Sequence, residues 1–124
     1  MFAYKGFQRG LKCRGYQFSM GKNVTEAANC GQNGFHCAEN PLDCLSYYGN
    51  INFSDYCLVI PGGDMDEDQV DSKISCTELT IVKKLTIQEF FLHGLAYMVD
   101  HANRNWSSHV QKDRLIRLLR CAGH

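Results

Sequence analysis

Aromatic and polar side chains alternate along Phe2-Ala-Tyr-Lys-Gly-Phe7 and again over residues 14–19, the two-residue period of strands that bury one face. Gly10 and Gly21 follow these runs and mark turns. The first fifty residues are therefore expected to be β-rich. Asn40 is a good N-cap and Pro41 suits a first helical position, where its missing N–H leaves nothing unpaired, so a short helix is expected near 41–48. Asp55-Tyr-Cys-Leu-Val-Ile60 is almost continuously apolar and β-branched, as in a central strand, and Pro61-Gly62-Gly63 predicts its end. An acidic loop over 64–71 and an alternating strand over 73–84 follow.

The period then changes to that of a helix. Thr86-Ile-Gln-Glu89 has the form of a capping box, with a hydroxyl at the N-cap and a carboxylate three residues on. Ile87, Phe90, Phe91, Leu95 and Met98 make an apolar stripe up to about His101. After a break at 103–106, Ser107 or Ser108 can cap a last helix whose Val110, Leu115, Leu118, Leu119 and Ala122 share a face, ended by Gly123. Strands first and helices last predict an α+β fold. It would be a mostly antiparallel sheet with a short inserted helix and two C-terminal helices packed on one face, in a single domain over 1–124. Residues 1–84 would form the β-rich core and 86–122 the two helices.

A chain of 124 residues can bury one core but not two. Its formal charge is zero, with 13 Lys and Arg against 13 Asp and Glu, yet the charges are segregated. Residues 1–22 are purely basic, 23–72 purely acidic, and 101–124 basic again. Such blocks either neutralise each other by packing together or present a dipolar surface suited to oriented docking on a charged partner. There is no charged leader with an apolar core and no run of eighteen apolar residues, so a soluble cytoplasmic protein without membrane contact is expected. In that compartment the seven cysteines read as reduced thiols, and the Asn-x-Ser/Thr triplets at Asn23, Asn52 and Asn105 as chance matches.

Several residue groups have the right atoms for chemistry. Cys30, His36, Cys37 and Cys44 could ligate zinc, but their spacing departs from the usual knuckles, and small buried thiols are the plainer reading. Asp64, Asp66 and Asp68 begin like a calcium loop that then fails at Gln69 and Ser75, where glycine and glutamate are needed. His93, Tyr97 and His101 share a helical face that reads as exposed and polar. His36 could meet Cys13, Cys57 or Cys76 across strands as a Cys–His pair, with nothing in the spacing to select one. Arg114, Arg117 and Arg120, with Arg104 and Trp106, form a basic ridge that could touch nucleic acid or merely solvate a helix. Leu115, Ile116, Leu118 and Leu119 make a stripe wide enough for a homo-oligomer contact.

The run Gly34-Phe-His-Cys-Ala-Glu-Asn-Pro-Leu-Asp-Cys-Leu-Ser-Tyr-Tyr48, with Ala3-Tyr-Lys-Gly-Phe7 and Cys13-Arg-Gly-Tyr-Gln-Phe18, resembles a family of short, uncharacterised phage, prophage and gut-bacterial proteins. The family pattern reads YKGF, CRGFQY, then GFHxCENPLDxxxYY, and the likeness covers roughly residues 1–90. His36-Cys37-Ala38 departs from it, placing the thiol one position earlier and on the opposite face of a strand. The resemblance implies a phage-type accessory protein with no established activity to carry over. Its expected action is binding and inhibition of a host protein or nucleoprotein defence complex in the host cytosol. The acidic segment Asp64, Asp66, Glu67 and Asp68 would mimic phosphates in that docking, with no cofactor.

The order Tyr4-Lys5-Gly6, then Gly34-Phe35-His36 with Tyr47 and Tyr48, then Glu78 is loosely similar to ADP-ribosyltransferase-like proteins. That likeness implies a ligand pocket of Tyr4, Gly6, Phe35, His36, Tyr47 and Tyr48 for NAD or a related nucleotide. Backbone at Gly6 would hold the amide, a tyrosine would stack on the ring, and Glu78 would orient a nucleophile, with Lys5 where the family carries His or Arg. The usual Ser or Thr after the aromatic strand is absent. Core packing is the alternative for Tyr4, Phe35 and Tyr47.

Overall fold

The computed structural model describes residues 1–26, 34–67 and 72–101. Its strands are β1 (Ala3–Gln8), β2 (Lys12–Cys13), β3 (Tyr16–Gln17), β4 (Gly21–Val24), β5 (Phe35–Ala38), β6 (Ser54–Glu67) and β7 (Lys73–Leu85). A 3-10 helix, Pro41–Ser46, follows β5, and helix α1, Ile87–Asp100, follows β7. All pairings are antiparallel. The fold is mostly antiparallel sheet with a little helix.

Long β6 and β7 form the spine. β6 takes β1 on its other side from Ala3↔Val59 to Gln8↔Ser54. β7 takes β5, from Phe35↔Cys76 to Ala38↔Lys73, and β4 further along. A single register pair, Tyr4↔Ala38, joins β5 back to β1. The pairings β1–β6–β7–β5–β1 thus close a ring. Its interior holds alternate residues of each strand: Ala3 and Phe7 of β1, Phe35 and Cys37 of β5, Cys57 and Val59 of β6. The outer face is covered by the 3-10 helix and α1, whose Leu42, Leu45 and Phe90 cluster with Leu85 of β7 and with Tyr56 of β6, stacked on Phe90 at 4.3 Å.

Helix α1 starts where its sequence says. Thr86 accepts from the Glu89 amide, and the Glu89 carboxylate accepts from the Thr86 amide. The short helix at Pro41 has the expected cap, with Asn40 Oδ1 accepting from the Leu42 amide at 3.0 Å, but it is a 3-10 turn ending at Ser46 rather than a helix to 48.

Three further expectations are corrected. Pro61-Gly62-Gly63 does not end β6, which runs on to Glu67. β1 stops pairing at Val59, so Pro61 stands where β6 is laddered to β7 alone and an imino residue is tolerated. Beyond it a register shift between Gly62 and Met65, with Gly63 at φ +67, absorbs the irregularity as a bulge, and Thr77 Oγ1 accepts from the Asp64 amide at 2.9 Å. Asp64, Asp66 and Glu67 are therefore strand residues, not a loop, while Asp68 lies outside the described residues. The expected strand over 14–19 is instead a hairpin of β2 and β3 turning at Arg14-Gly15. The second C-terminal helix, with Arg114, Arg117 and Arg120, also falls outside the described residues. Among those described, no helix is long and apolar enough to cross a membrane.

Candidate functional site

Between Tyr4↔Ala38 and Gln8↔Lys12, the edge of β1 facing β5 and β2 carries no ladder pair. A cavity of about 250 Å³ opens there. Tyr4, Lys5 and Gly6 form its floor on β1, His36 to Ala38 one wall on β5, and Tyr47 and Tyr48 the wall that follows the 3-10 helix. Cys13 and Arg14 from the β2–β3 hairpin and Lys73 at the start of β7 complete it.

Gly6 is required by one close approach. A Cβ there would stand 2.9 Å from Tyr48 Cδ2 and 3.0 Å from Tyr48 Cβ, so the tyrosine lies directly on the strand backbone. Tyr48 is fixed at two other points. Its hydroxyl donates to Cys13 Sγ at 2.9 Å, and its carbonyl accepts from the Tyr56 hydroxyl. Burial, and then this bond to Cys13, push the Tyr48 phenol well above the ordinary tyrosine range. Tyr4 is held from outside by α1, its hydroxyl hydrogen-bonded to His93 Nδ1 at 2.7 Å. Tyr47 is held less and is 51% exposed at the cavity mouth, with Lys73 Nζ 5.0 Å from its ring centroid.

The electrostatics are one-signed. Lys5, Arg14 and Lys73 line the cavity, and no Asp or Glu is among its described lining residues. Lys5 is 5% exposed, and Nζ donates to the His36 carbonyl at 2.6 Å while standing over the rings of Phe7 and Phe18 at 5.3 and 5.4 Å. A buried ammonium with so few oxygen partners leaves positive charge directed at neighbouring groups. His36 registers it. Desolvation first, then Lys5, Arg14 and Lys73, lower its pKa to about 4, so the ring is neutral at pH 7. Its Nε2 is buried and has no hydrogen-bond partner among the described residues.

The thiols at the site differ. The Cys37 thiol donates to Cys76 within the barrel, which raises the Cys37 pKa and lowers that of Cys76. Burial pushes Cys44 up to about 12 despite the nearby Lys5. Among the described residues no three His, Cys, Asp or Glu side chains come together as a metal site, and Cys30 of the candidate zinc set lies outside them. Of the possible thiol partners of His36, Cys13 shares the cavity wall, whereas Cys57 and Cys76 are core residues.

Of the pocket suggested by the transferase likeness, the fold brings together Tyr4, Gly6, His36, Tyr47 and Tyr48, and sets Lys5 beside them. Phe35 is instead an interior residue against Phe18, 4.9 Å between ring centroids. Glu78 lies away from the cavity on β7, opposite Val24 and Gly62, and pairs with Lys22 at 3.2 Å. Asp64, Asp66 and Glu67 are exposed at the far end of β6. Sequence reasoning missed Arg14 and Lys73 as lining residues. A two-residue Arg-Gly link between short alternating runs is a hairpin signal that could have placed Arg14 at a turn, though not over a cavity.

Residues 1–93 match a family described as a domain of unknown function (DUF7666). No curated protein and no solved structure matches the chain.

Proposed function

We propose, for a chain that belongs to the DUF7666 family of domains of unknown function, that the cavity between β1, β5 and the tyrosine pair binds a small anionic ligand with a planar ring, of nucleotide-like type. No catalysis is required. The observation that carries this reading is the convergence of Lys5, Arg14 and Lys73 on one cavity with no described carboxylate lining it. Three cations around one cavity favour an anion, the exposed Tyr47 ring supplies a stacking face, and neutral His36 can donate to or accept from a ring edge. The volume falls just below the roughly 300–1,000 Å³ typical of pockets that enclose drug-sized ligands, which suits a mononucleotide better than the whole of NAD. With Glu78 elsewhere, the likeness to ADP-ribosyltransferases supports a ligand cavity more than a transfer reaction. Calorimetry with AMP, ADP and NAD tests it. Binding of a mononucleotide that is lost in Lys5→Met or Tyr47→Ala is expected; absence of any binding at millimolar ligand would sink the reading.

A second reading rests on the other end of the barrel. The motif likeness to phage or prophage accessory proteins supports an accessory role, and Asp64, Asp66 and Glu67 are exposed along β6 beyond the last residue that β1 pairs. That acidic ridge suits docking against a basic face of a host defence protein or nucleoprotein complex in the cytosol. Asp66→Lys with Glu67→Lys should abolish such docking in a pull-down from host lysate, and retention of the partner by the reversed protein would contradict it.

A further inference from the structure

We infer that Arg14 is the residue that grips the ligand's phosphate, and that its left-handed backbone is strain kept for this purpose; the inference rests on the ligand-binding reading above. Arg14 and Gly15 link the register pair Cys13↔Tyr16 with φ of +50° and +80°, the two-residue type I′ turn in which both central residues have positive φ. Asn, Asp and Gly take the first of these positions readily. Arginine has the Cβ clash that disfavours the left-handed region and no short polar side chain to offset it. Such outliers cluster where function needs them.

Nothing else among the described residues accounts for an arginine here. Its side chain is exposed, joins no hydrogen bond or ion pair among the described residues, and lines the cavity. The turn beneath it is held on both sides. Cys13 receives the Tyr48 hydroxyl at 2.9 Å, and the Tyr16 ring packs on Phe18 and Phe35 with centroids 4.6 and 5.1 Å apart. The guanidinium therefore springs from a fixed base in the cavity lining it shares with β5 and Lys73, instead of from a mobile loop tip. A planar fork of N–H donors matches two phosphate oxygens at once, which the ammonium groups of Lys5 and Lys73 cannot do. The ligand class this selects is a nucleoside mono- or diphosphate, with the ring toward Tyr47 and the phosphate toward Arg14.

The test compares wild type, Arg14→Asn and Arg14→Lys by calorimetry with ADP and with adenosine, alongside melting curves of the free proteins. Arg14→Asn should weaken ADP binding by about ten-fold or more while leaving adenosine binding unchanged. It should also raise the melting temperature of the free protein by about 2–5 °C, because asparagine accepts the left-handed turn. Arg14→Lys, which keeps charge but not the fork, should recover only part of the ADP affinity and none of the melting gain. ADP bound equally by wild type and Arg14→Asn would overturn the role of Arg14 while leaving the cavity reading intact. An unchanged or lowered melting temperature in Arg14→Asn would overturn the strain. Wild-type protein that binds neither ADP nor adenosine would remove the ligand-binding reading and this inference together.

Discussion

Leu11 and Arg14 are three residues apart in the same hairpin region, and both have the left-handed backbone that side chains avoid, at φ +60° and +50°. The fold accounts for one and not the other. At Leu11 the buried Asp55 carboxylate accepts from the Gly10 amide at 2.8 Å and the Leu11 amide at 3.3 Å, and Lys84 pairs with its other oxygen at 3.1 Å. The leucine side chain meanwhile packs on the barrel interior. At Arg14 no such support exists among the described residues, and the side chain faces a cavity. Strain at the first position is offset by hydrogen bonds and burial and so belongs to stability. At the second, no hydrogen bond or burial of the residue itself offsets it among the described residues, which is how a binding residue differs from a packing one.

The strongest way to break this contrast is to remove the support under Leu11. Asp55→Ala strips two amides and a lysine of a buried partner and should destabilise the protein by about 3 kcal/mol in urea titration; a loss below about 1 kcal/mol would mean that the turn is held by other means. The same group predicts an acid limb. Burial pushes the Asp55 carboxyl up, but the Gly10 amide, Lys84 and the Leu11 amide outweigh it, leaving the folded pKa below the unfolded one. Its contribution is thus fully present above about pH 4 and lost as pH falls through the lower folded value, a slope that Asp55→Asn should flatten.

Gly6→Ala attacks the cavity side. It sets a methyl against Tyr48, whose hydroxyl tethers the hairpin through Cys13, and should cost about 2 kcal/mol while moving Arg14. Stability within about 0.5 kcal/mol of wild type, by the same titration, would show that Tyr48 yields freely.

His36 sharpens the comparison electrostatically. Its folded pKa of about 4 lies below the unfolded ~6.5, so the protein should lose stability as pH drops from about 6.5 toward 4, by about 1 kcal/mol once its partial exposure is discounted. Arg14→Asn should raise the His36 midpoint in an NMR titration, and Leu11→Asn should leave it in place. A midpoint that ignores Arg14 would separate the arginine from the cavity field.

An effect of similar size is the most direct. Leu11→Asn and Arg14→Asn both relieve a left-handed residue, but only the first gives up leucine burial. The two variants should therefore differ by about 1 kcal/mol, Leu11→Asn being the less stable in paired melts.

Much of the fold was legible along the chain because the responsible forces are local. The two-residue alternation of residues 2–7 marks β1, the Thr86–Glu89 capping box starts α1 within one residue, and Asn40-Pro41 opens the 3-10 turn. The continuation of β6 through Pro61 was not legible, since a proline is tolerated or not according to where the neighbouring strand ends. The tyrosine pair, Gly6 and His36 could be suspected from their chemistry, but Phe35 and Glu78 could not be separated from them before the barrel was known.

Sequence by itself determined the period of β1, β7 and α1, the caps at Asn40 and Thr86, the segregation of acid and base, and the residue types available to a site. Only the tertiary structure decided that one pairing, Tyr4↔Ala38, closes a ring and leaves a gap beside it. Closure also sets Lys5, Arg14, His36 and Lys73 around that gap although their sequence positions are far apart. The reason is physical: patterning and capping act over a few residues, whereas the gap and its positive field arise from strands that meet only after the chain has turned back on itself.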